Sequence, residues 1–369
     1  MGKKNSEVRS IVIFGGAGFI GSNWTERLLK TTAAKVHVFD NLSRTGARHN
    51  LEELQKIARG SGRLQVTIGD VRDAALVNSV VAHAGEIYHF AAQVAVTTSL
   101  LDPRLDFDVN LGGTFNILEA ARQHGRKPFM LFTSTNKVYG DSVGGRLTVE
   151  GGRYVAADGR GSNERQPLDF YSPYGCSKGA ADQYVRDYAR IFGLRSVVFR
   201  MSCIAGPRQF GSADQGWVAH FLYSALEGRP LTIYGDGRQV RDVLHVGDLL
   251  DAFEAAYANR EATAGQIYNI GGGAENTVSL LELIEQVAKL TGERLVYDFD
   301  GQRAGDQLFY VTDHGKFSRD TGWQPQTGVD GILANIYRWY RTHRHLIASP
   351  AAEVGAEQAE WLATAPRSA

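Results

Sequence analysis

Short apolar runs alternate with longer amphipathic segments over roughly the first half of the chain. Residues 11–14 form an all-apolar run that stops at Gly15, which is typical of a parallel strand buried on both faces. Residues 19–30 then carry apolar side chains at every fourth position, which predicts a helix, and residues 36–40 resemble a second strand. Together these segments predict one strand–helix–strand unit.

The same alternation continues further along the chain. Strands are predicted at 64–68, 86–90, 130–133 and 196–200, with helices at 113–124 and 174–192. Strands that alternate with helices predict an α/β fold with a doubly wound parallel sheet, the Rossmann arrangement. Ligands of such sheets bind beyond the carboxyl ends of the strands, so the residues that carry chemistry are expected there.

The pattern loosens after residue 200, where glycine and proline interrupt the apolar segments. We predict helices at 215–227, 277–291 and 328–345 and a strand at 293–299. We expect a nucleotide-binding domain from 1–200 and 238–272, a smaller interleaved α/β substrate-binding lobe from 201–237 and 273–345, and a mobile tail at 346–369. Residues 141–170 are predicted to be a long insertion, either functional or disordered.

Composition excludes several classes of protein. Of 369 residues 43% are hydrophobic, which is enough for a substantial core, and 40 basic residues balance 40 acidic ones, so no nucleic-acid partner is expected. The two cysteines, Cys176 and Cys203, and the histidines form no quartet at metal-ligand spacing, so no metal is expected. No signal region or long apolar run is present, which predicts a cytoplasmic protein without a membrane partner.

A glycine-rich segment, GGAGFIG at residues 15–21, links the first predicted strand to the first predicted helix. Glycines let the backbone approach a pyrophosphate, and the helix N-terminus offers free N–H groups. Asp40 lies 19 residues beyond Gly21, where a carboxylate accepts ribose hydroxyls and repels a 2′-phosphate. We therefore predict NAD as the cofactor, while Arg44 and Arg48 leave NADP open.

The ends of the next strands supply further candidate cofactor contacts. Asp70 could accept from the adenine amino group, and Ala91 and Ala92 could line the nicotinamide ribose, although ordinary loop chemistry accounts for each of them equally well. The full set predicted to bind the cofactor is Gly15, Gly18, Phe19, Ile20, Gly21, Asp40, Asn41, Asp70, Val71, Ala91, Ala92, Gln93, Asn110, Ser134, Tyr174 and Lys178.

Tyr174 and Lys178 place a phenol and an ammonium four residues apart on one face of a predicted helix. A nearby lysine stabilises phenolate and lowers the pKa of the tyrosine, which makes the phenol a usable base. Such a pair is common by chance, but here it follows a dinucleotide segment and a strand that ends in Thr-Ser-Thr. We predict Tyr174 and Lys178 as catalytic residues.

With these residues the chain resembles the extended short-chain dehydrogenase/reductase superfamily of NAD-dependent nucleotide-sugar epimerases and dehydratases, to about residue 345. Dehydratases of that family carry Thr-Asp-Glu before a Val-Tyr-Gly triplet, because eliminating water needs an acid and a base beyond the tyrosine. Here Thr135 is kept, and the resemblance implies that it is a catalytic residue hydrogen-bonded to the reacting oxygen, whereas Asn136 and Lys137 replace those carboxylates. The resemblance therefore disfavours dehydration, and decarboxylation for the same reason.

Longer strings, at 92–99, 134–140, 172–184 and 214–218, resemble the CDP-paratose 2-epimerase (CDP-tyvelose epimerase) branch. The resemblance implies an isomerase that inverts C2 of a CDP-linked hexose through a transient 2-keto sugar, with NAD regenerated in each turnover. Three alternatives stay open: a 4-epimerase, a net oxidoreductase acting on another nucleotide sugar, and a non-catalytic nucleotide-sugar-binding protein.

The resemblance also implies where the nucleotide sugar binds. Guanidinium groups suit phosphate oxygens, although a surface salt bridge is the alternative for each arginine. Cys203 stands where most relatives have an asparagine, and both cysteines fit better as small buried residues. The implied substrate-binding residues are Asn136, Lys137, Cys203, Arg208, Arg241 and Arg303. Helices 113–124 and 174–192 resemble those that pair in homodimers or homotetramers of the family, although their apolar faces could equally pack within one monomer.

Overall fold

The structure is a computed structural model that describes residues 8–141, 147–157, 159 and 161–347, so most of the predicted tail at 346–369 lies outside the described residues. The strands are β1 (Ser10–Phe14), β2 (Lys35–Asp40), β3 (Leu64–Ile68), β4 (Glu86–His89), β5 (Phe129–Thr135), β6 (Leu147–Glu150), β7 (Arg153–Ala156), β8 (Arg195–Met201), β9 (Cys203–Ala205), β10 (Leu231–Tyr234), β11 (Val240–His245), β12 (Ile267–Ile270), β13 (Thr277–Ser279), β14 (Tyr297–Asp300) and β15 (Phe309–Tyr310).

The helices lie mostly between these strands. They are α1 (Phe19–Thr31), α2 (Ala47–Ala58), α3 (Ala74–Val81), α4 (Val96–Leu101), α5 (Pro103–Phe107), α6 (Gly113–Gln123), α7 (Pro173–Phe192), α8 (Trp217–Leu226), α9 (Val246–Ala258), α10 (Arg260–Thr263), α11 (Leu280–Thr291), α12 (Gly315–Thr321) and α13 (Val329–Ile347). A π-helical turn (Asp108–Gly112) joins α5 to α6. Within the described part of the chain, no helix combines the length and the apolar character needed to cross a bilayer.

Seven parallel strands form the central sheet, in the order β12-β8-β5-β4-β1-β2-β3. The chain builds outward from β1 to β3 and then returns to the other side of β1 with β4, so the winding reverses between β1 and β4. The predicted α/β fold with a doubly wound parallel sheet is confirmed. Its crevice for a ligand lies beyond the carboxyl ends of these two strands.

Both faces of the sheet are covered, which explains the unbroken apolar runs of the strands. Side chains of a strand alternate between the faces. Ile11 and Ile13 of β1 share a core with Trp24 of α1, whereas Val12 shares a second core with Leu118 of α6. Each of these β1 side chains is thus buried, as the sequence pattern predicts for a strand between two helical layers.

A smaller group of elements packs around a third core. In it β11 pairs with β9, β13 and β15, β10 pairs with β14, and α8, α11 and α13 supply most of the apolar side chains. The strand β12, between these elements in the chain, lies in the seven-stranded sheet. The chain therefore passes between the two groups more than once, and the exact division into two lobes stays a prediction.

Several predicted boundaries are wrong in this second half. The helix expected at 277–291 begins at Leu280, because Ser279 caps α11 in a reciprocal capping box with Glu282 and the three residues of β13 pair with β11 instead. The strand expected at 293–299 begins at Tyr297. Helices α2, α3 and α9 were not predicted. The described residues of the 141–170 insertion include the antiparallel hairpin of β6 and β7.

A buried ion pair connects the sheet to α7. Arg200 of β8 donates from Nε to Oδ2 of Asp182 at 2.7 Å and from Nη2 to Oδ1 at 3.1 Å, and both residues are almost fully buried. Ser134 of β5 donates to the same carboxylate at 3.1 Å. Arg200 also donates to the Tyr139 hydroxyl at 3.0 Å, which donates in turn to Asn269 at 2.7 Å. The network holds β5, β8, β12 and α7 in one arrangement.

We predict that Asp182→Ala lowers the free energy of unfolding by about 3–5 kcal/mol, because it leaves the Arg200 guanidinium buried without its counterion. Chemical denaturation monitored by circular dichroism measures the change. The matched control is Asp108→Ala, which removes the exposed pair with Arg104 and should leave the midpoint unchanged. Equal midpoints for the two variants would contradict the prediction.

Candidate active site

The glycine-rich segment forms the turn between β1 and α1. Gly15 has φ +77°, and a Cβ on it would lie 2.6 Å from the backbone nitrogen of Ala91, which follows β4. A Cβ on Gly21 would lie 2.7 Å from Cα of Gly16. Only glycine permits this approach, and α1 begins at Phe19 after Gly18, an N-cap residue with no side chain to cap the first turn. The result is an open backbone cradle at a helix N-terminus, which fits a pyrophosphate.

Asp40 lies at the end of β2 beside this cradle. Its Oδ2 accepts from the backbone N–H of Ala17 at 2.9 Å, and its Oδ1 accepts from that of Leu42 at 2.8 Å. Burial raises the pKa of the carboxyl, although these backbone hydrogen bonds oppose the rise. The predicted ribose-binding carboxylate is thus held at the carboxyl edge of the sheet, next to the predicted pyrophosphate site, and the donor set fits a dinucleotide.

Asp70, Asn41 and Val71 follow the ends of β2 and β3. Asn41 donates to Asp70 at 3.2 Å, and Arg72 makes two hydrogen bonds of 2.9 Å to the Asp70 carboxylate. The hydrogen bond from Arg72 lowers the pKa of Asp70 to about 2. Val71 is buried, and a Cβ on Gly113 would lie 2.5 Å from one of its methyl groups. Asp70 is therefore an ionised acceptor at neutral pH at this edge.

Gln93 and Asn110 are held by a buried carboxylate that the sequence analysis missed. Both side-chain amides donate to Oδ1 of Asp106, at 2.9 and 3.0 Å, and Ser177 of α7 donates to its Oδ2. The backbone N–H of Gln93 donates to Asn110 at 2.9 Å. Burial raises the pKa of Asp106. Asp106 lies in a short helix between apolar neighbours, and no spacing in the sequence indicates its role.

Thr135, Tyr174 and Lys178 are brought together from β5 and α7. The helix begins where Ser172 accepts from the backbone N–H of Gly175 at 3.1 Å, so Tyr174 lies in its first turn. The Thr135 side chain lies close enough to the Tyr174 hydroxyl to affect the pKa of the phenol. Lys178, one turn later, is buried, and its Nζ lies 4.2 Å from the centroid of the Phe132 ring. The predicted trio therefore shares one location.

The pKa values of Tyr174 and Lys178 differ from the expectation. Burial raises the pKa of Tyr174 to about 12; its hydrogen bond to Thr135 opposes the rise and the charge of Asp106 adds to it. Burial lowers the pKa of Lys178 to about 7, against the attraction of Asp106 and Asp182. The prediction that Lys178 lowers the pKa of Tyr174 is wrong for this geometry, because enclosure of the phenol outweighs any stabilisation of phenolate.

Asn136, Lys137 and Arg241 meet residues of the loop between β14 and β15. Arg241 donates to Oδ1 of Asp306 at 2.8 Å, and Nζ of Lys137 lies 3.7 Å from the same oxygen. Asn136 donates to Oε1 of Gln307 at 3.1 Å. Burial alone would raise the pKa of Asp306, but the charges of Arg241 and Lys137 lower it. Sequence reasoning missed Asp306 and Gln307, although both follow closely on the predicted Arg303.

Arg303 and Cys203 lie in the same part of the molecule. Arg303 donates to the carbonyl of Ala213 at 2.9 Å, and its guanidinium carbon lies 3.7 Å from the centroid of the Tyr234 ring. Cys203 is partly buried and accepts from Nε1 of Trp217 at 3.4 Å; burial raises the pKa of its thiol. The expectation that Cys176 is buried is wrong, because it lies on the exposed side of α7.

Arg208 has different partners from the other predicted substrate residues. Its Nη2 lies 2.8 Å from a carboxylate oxygen of Glu26 on α1 and 3.2 Å from one of Glu53 on α2. Its backbone adopts φ +68°, and the side chain is 7% exposed. These ion pairs direct the guanidinium toward α1 and α2, so its role in substrate binding stays a prediction.

Comparison with known proteins finds one matching family and several similar enzymes. The family described as GDP-mannose 4,6 dehydratase matches residues 12–336. A CDP-paratose 2-epimerase of Salmonella typhi is 41% identical, over 89% of this chain and 98% of that protein. The solved structure of a Thermus thermophilus UDP-glucose 4-epimerase complex with NAD has a TM-score of 0.76 and 32% identity, covering 90% of this chain and 99% of that chain.

A solved dTDP-glucose 4,6-dehydratase from Streptomyces venezuelae, with NAD and TYD bound, has a TM-score of 0.77 and 30% identity. The comparison covers 91% of this chain and 98% of that chain. The similar proteins thus include both epimerases and dehydratases, and the residues matched by the family contain the whole predicted site.

We predict that Lys178→Met stabilises the protein most at low pH. The pKa of Lys178 falls from 10.5 to about 7 on folding. Below pH 7 the side chain is charged in both the unfolded and the folded state, so the folded protein carries the full free-energy cost of burying that charge. Between these two values the folded state binds fewer protons than the unfolded state, so the penalty shrinks as pH rises. Thermal unfolding from pH 6 to pH 10 measures the difference between variant and wild type.

The matched control for this prediction is Lys289→Met, at an exposed position of α11. The difference in thermal stability between Lys289→Met and the wild type should not change over the same pH range. A gain from Lys178→Met that is constant with pH, or that grows as pH rises, would contradict the lowered pKa.

Proposed function

The chain belongs to the GDP-mannose 4,6-dehydratase family of extended short-chain dehydrogenases/reductases, and on this basis we propose that it is the member that inverts C2 of a CDP-linked hexose. It is an NAD-dependent enzyme of the isomerase type and acts on a nucleotide sugar. The reacting carbon, the sugar and the base belong to the proposal. Its strongest sequence support is the relative at 41% identity whose name is CDP-paratose 2-epimerase.

The observation that carries the proposal is the chemistry of the two residues after Thr135. Elimination of water needs a general acid and a base in addition to the tyrosine. Asn136 offers an amide that is already bound to Gln307, and Lys137 offers an ammonium that faces Asp306. Neither is a carboxylic acid, so these positions favour oxidation and re-reduction at one carbon over dehydration.

The glycine cradle and Asp40 fit NAD, as their geometry above indicates. NAD bound there supplies a hydride acceptor that can later return the hydride to the same carbon. The protein's own residues then have to bind the sugar with one hydroxyl at Tyr174, move the proton of that hydroxyl, and hold the sugar while its other face turns toward the cofactor.

Tyr174 takes the hydroxyl proton as phenolate, becomes the phenol, and gives the proton back when the sugar is reduced again. Because burial raises the pKa of Tyr174 to about 12, the phenolate has to be stabilised before it can accept that proton. Lys178 is one helical turn away, and the carboxylates of Asp106 and Asp182 favour its charged form. Thr135, whose side chain lies beside the phenol, holds the reacting oxygen in line with it.

The diphosphate of the substrate has matching cations in the same region. Arg241 and Lys137 both face Asp306, so phosphate oxygens would compete with this carboxylate for the two cations. Arg303, stacked on Tyr234, lies in the same loop as Asp306 and contributes a third positive charge. This cluster supports binding of a nucleoside diphosphate and leaves its base undetermined.

A 4-epimerase is the second candidate, since the same trio would serve inversion at C4 and a solved relative at 32% identity is a UDP-glucose 4-epimerase. A net oxidoreductase would release a keto sugar instead. The intact Thr135, Tyr174 and Lys178 argue against a protein that only binds nucleotide sugars.

We predict C2 inversion without deuterium at C2 when the protein is incubated with CDP-paratose or CDP-glucose in deuterated water, because the hydride returns from the bound cofactor. Proton and carbon NMR give the configuration and the label. Inversion at C4 would identify a 4-epimerase, NADH in solution would identify an oxidoreductase, and deuterium at C2 would indicate enolisation. Unchanged sugars would contradict the proposed CDP-sugar substrate.

The catalytic role of Tyr174 can be tested in the same assay. Tyr174→Phe should lower kcat by about 10²–10⁴-fold while CDP-sugar binding persists, because it removes only the proton carrier. Tyr337→Phe on α13, a partly buried tyrosine of the third core, should retain wild-type kcat. Equal kcat values for the two variants would contradict the role of Tyr174.

A homodimer or homotetramer is also part of the proposal. On α6 and α7, Leu118 and Tyr188 are buried in the monomer, but Phe115, Tyr184 and Ile191 are 41%, 45% and 66% exposed, and the rings of Phe115 and Tyr184 lie 5.9 Å apart. Such an apolar patch across two adjacent helices suits a two-fold contact. Sedimentation velocity should show an oligomer that Tyr184→Arg dissociates; a monomeric wild type would contradict it.

A further inference from the structure

Two histidines and a glutamate from distant parts of the chain meet where α2 packs near the end of α13. Nε2 of His49 lies 3.7 Å from Oε1 of Glu53, and Nε2 of His343 lies 3.8 Å from the same oxygen. All three ligand atoms lie within 4.8 Å of one another. We propose that His49, Glu53 and His343 form a binding site for a divalent transition-metal ion, zinc in the first place, that joins α2 to α13.

The spacing of the atoms suits one small ion. Zinc binds imidazole nitrogen and carboxylate oxygen at about 2.0–2.2 Å, so two ligand atoms of a tetrahedral site lie roughly 3.4 Å apart. The two nitrogen–oxygen separations exceed this value only slightly. His49 and Glu53 are four residues apart on α2, so they lie on one face of a rigid element, and only His343 has to approach them.

The hydrogen bonds of His343 direct its second nitrogen at the site. Its Nδ1 lies 2.8 Å from the Thr342 hydroxyl and 2.9 Å from the backbone carbonyl of Trp339; because the carbonyl can only accept, this contact favours the tautomer with the proton on Nδ1. Nε2 is then the unprotonated nitrogen, and it is the atom that faces Glu53. Ligating histidines usually donate their other N–H to a carbonyl in this way.

His49 supplies independent support. Its Nε2 is inaccessible to solvent and has no hydrogen-bond partner among the described residues. A buried polar nitrogen without a partner is costly, and a bound ion would satisfy it.

The remaining contacts orient these ligands. Arg208 pairs with Oε2 of Glu53 at 3.2 Å, which leaves Oε1 for the ion. Glu26 also pairs with the Arg208 guanidinium, so a second carboxylate balances this positive charge next to the proposed cation. His343 stacks on Trp339 at a ring separation of 4.6 Å and has a non-helical backbone, φ −125° and ψ 18°, inside α13. The local break in the helix thus coincides with the proposed ligand.

The ligand set selects the class of ion. Imidazole suits zinc and its neighbours among the transition metals, whereas magnesium and calcium require oxygen ligands. Three protein ligands leave a fourth position for water. The site does not include Tyr174, Lys178 or the cations around Asp306, so we assign the ion a structural role, fastening α13 onto α2, that is independent of the proposed epimerisation.

The test uses the full chain without an affinity tag, freed of metal by dialysis against a chelator. We expect one zinc ion per chain by equilibrium dialysis and elemental analysis, and a rise in Tm with zinc but not with magnesium, because the ion binds only the folded state. Cobalt should give the visible spectrum of a tetrahedral site. No zinc binding by the wild type would overturn the proposal.

Variants locate the site. His49→Gln, Glu53→Gln and His343→Gln should each weaken zinc binding by about 100-fold or more, since each removes a ligand. His345→Gln, at an exposed position two residues further along α13, is the matched control and should bind zinc like the wild type. If all four variants bind zinc equally, the ion lies elsewhere and the proposal is wrong.

Discussion

The close approach of the glycine turn to the ends of β1 and β4 is the constraint on which the rest of the molecule depends. A side chain at Gly15 would overlap the backbone at Ala91, and one at Gly21 would overlap the turn itself. Because both positions lack a Cβ, α1 begins directly at the carboxyl edge of the sheet, at the point where the winding reverses. The positive end of α1, Asp40 and the loop after β4 therefore surround one crevice, and α7 and β5 add the phenol, the ammonium and the hydroxyl to the same edge.

Two buried carboxylates, those of Asp106 and Asp182, hold side chains around this crevice in place. Asp106 holds the amides of Gln93 and Asn110, Asp182 holds the Arg200 guanidinium, and both favour the charged form of Lys178. Each of these contacts would be costly if one partner were missing, so the network resists partial rearrangement. The same principle applies around Asp306, whose carboxylate balances the charges of Arg241 and Lys137; a phosphate of the proposed substrate would have to displace it from these cations.

The smaller group of elements is connected to the sheet through polar contacts as well as through the chain. Arg208, in the segment after β9, forms ion pairs with Glu26 and Glu53. His343 of α13 lies close to Glu53 as well. A zinc ion at that point would stabilise the position of the last helix without touching the reacting groups. The proposed epimerisation involves residues of the crevice, and the proposed ion involves α2 and α13, so each can be tested without the other.

Spacing along the chain was enough to predict the doubly wound sheet, the glycine turn with Asp40, and the Tyr174–Lys178 pair, because each is encoded within one element or across one strand–helix junction. It did not determine Asp106, Asp306 or the meeting of His49 with His343, since these depend on which distant segments pack together. Nor did it determine the pKa of Tyr174, which the sequence predicts to fall and which burial raises to about 12. Local pattern specifies backbone geometry, whereas burial and long-range charge pairs exist only once the tertiary structure has closed around them.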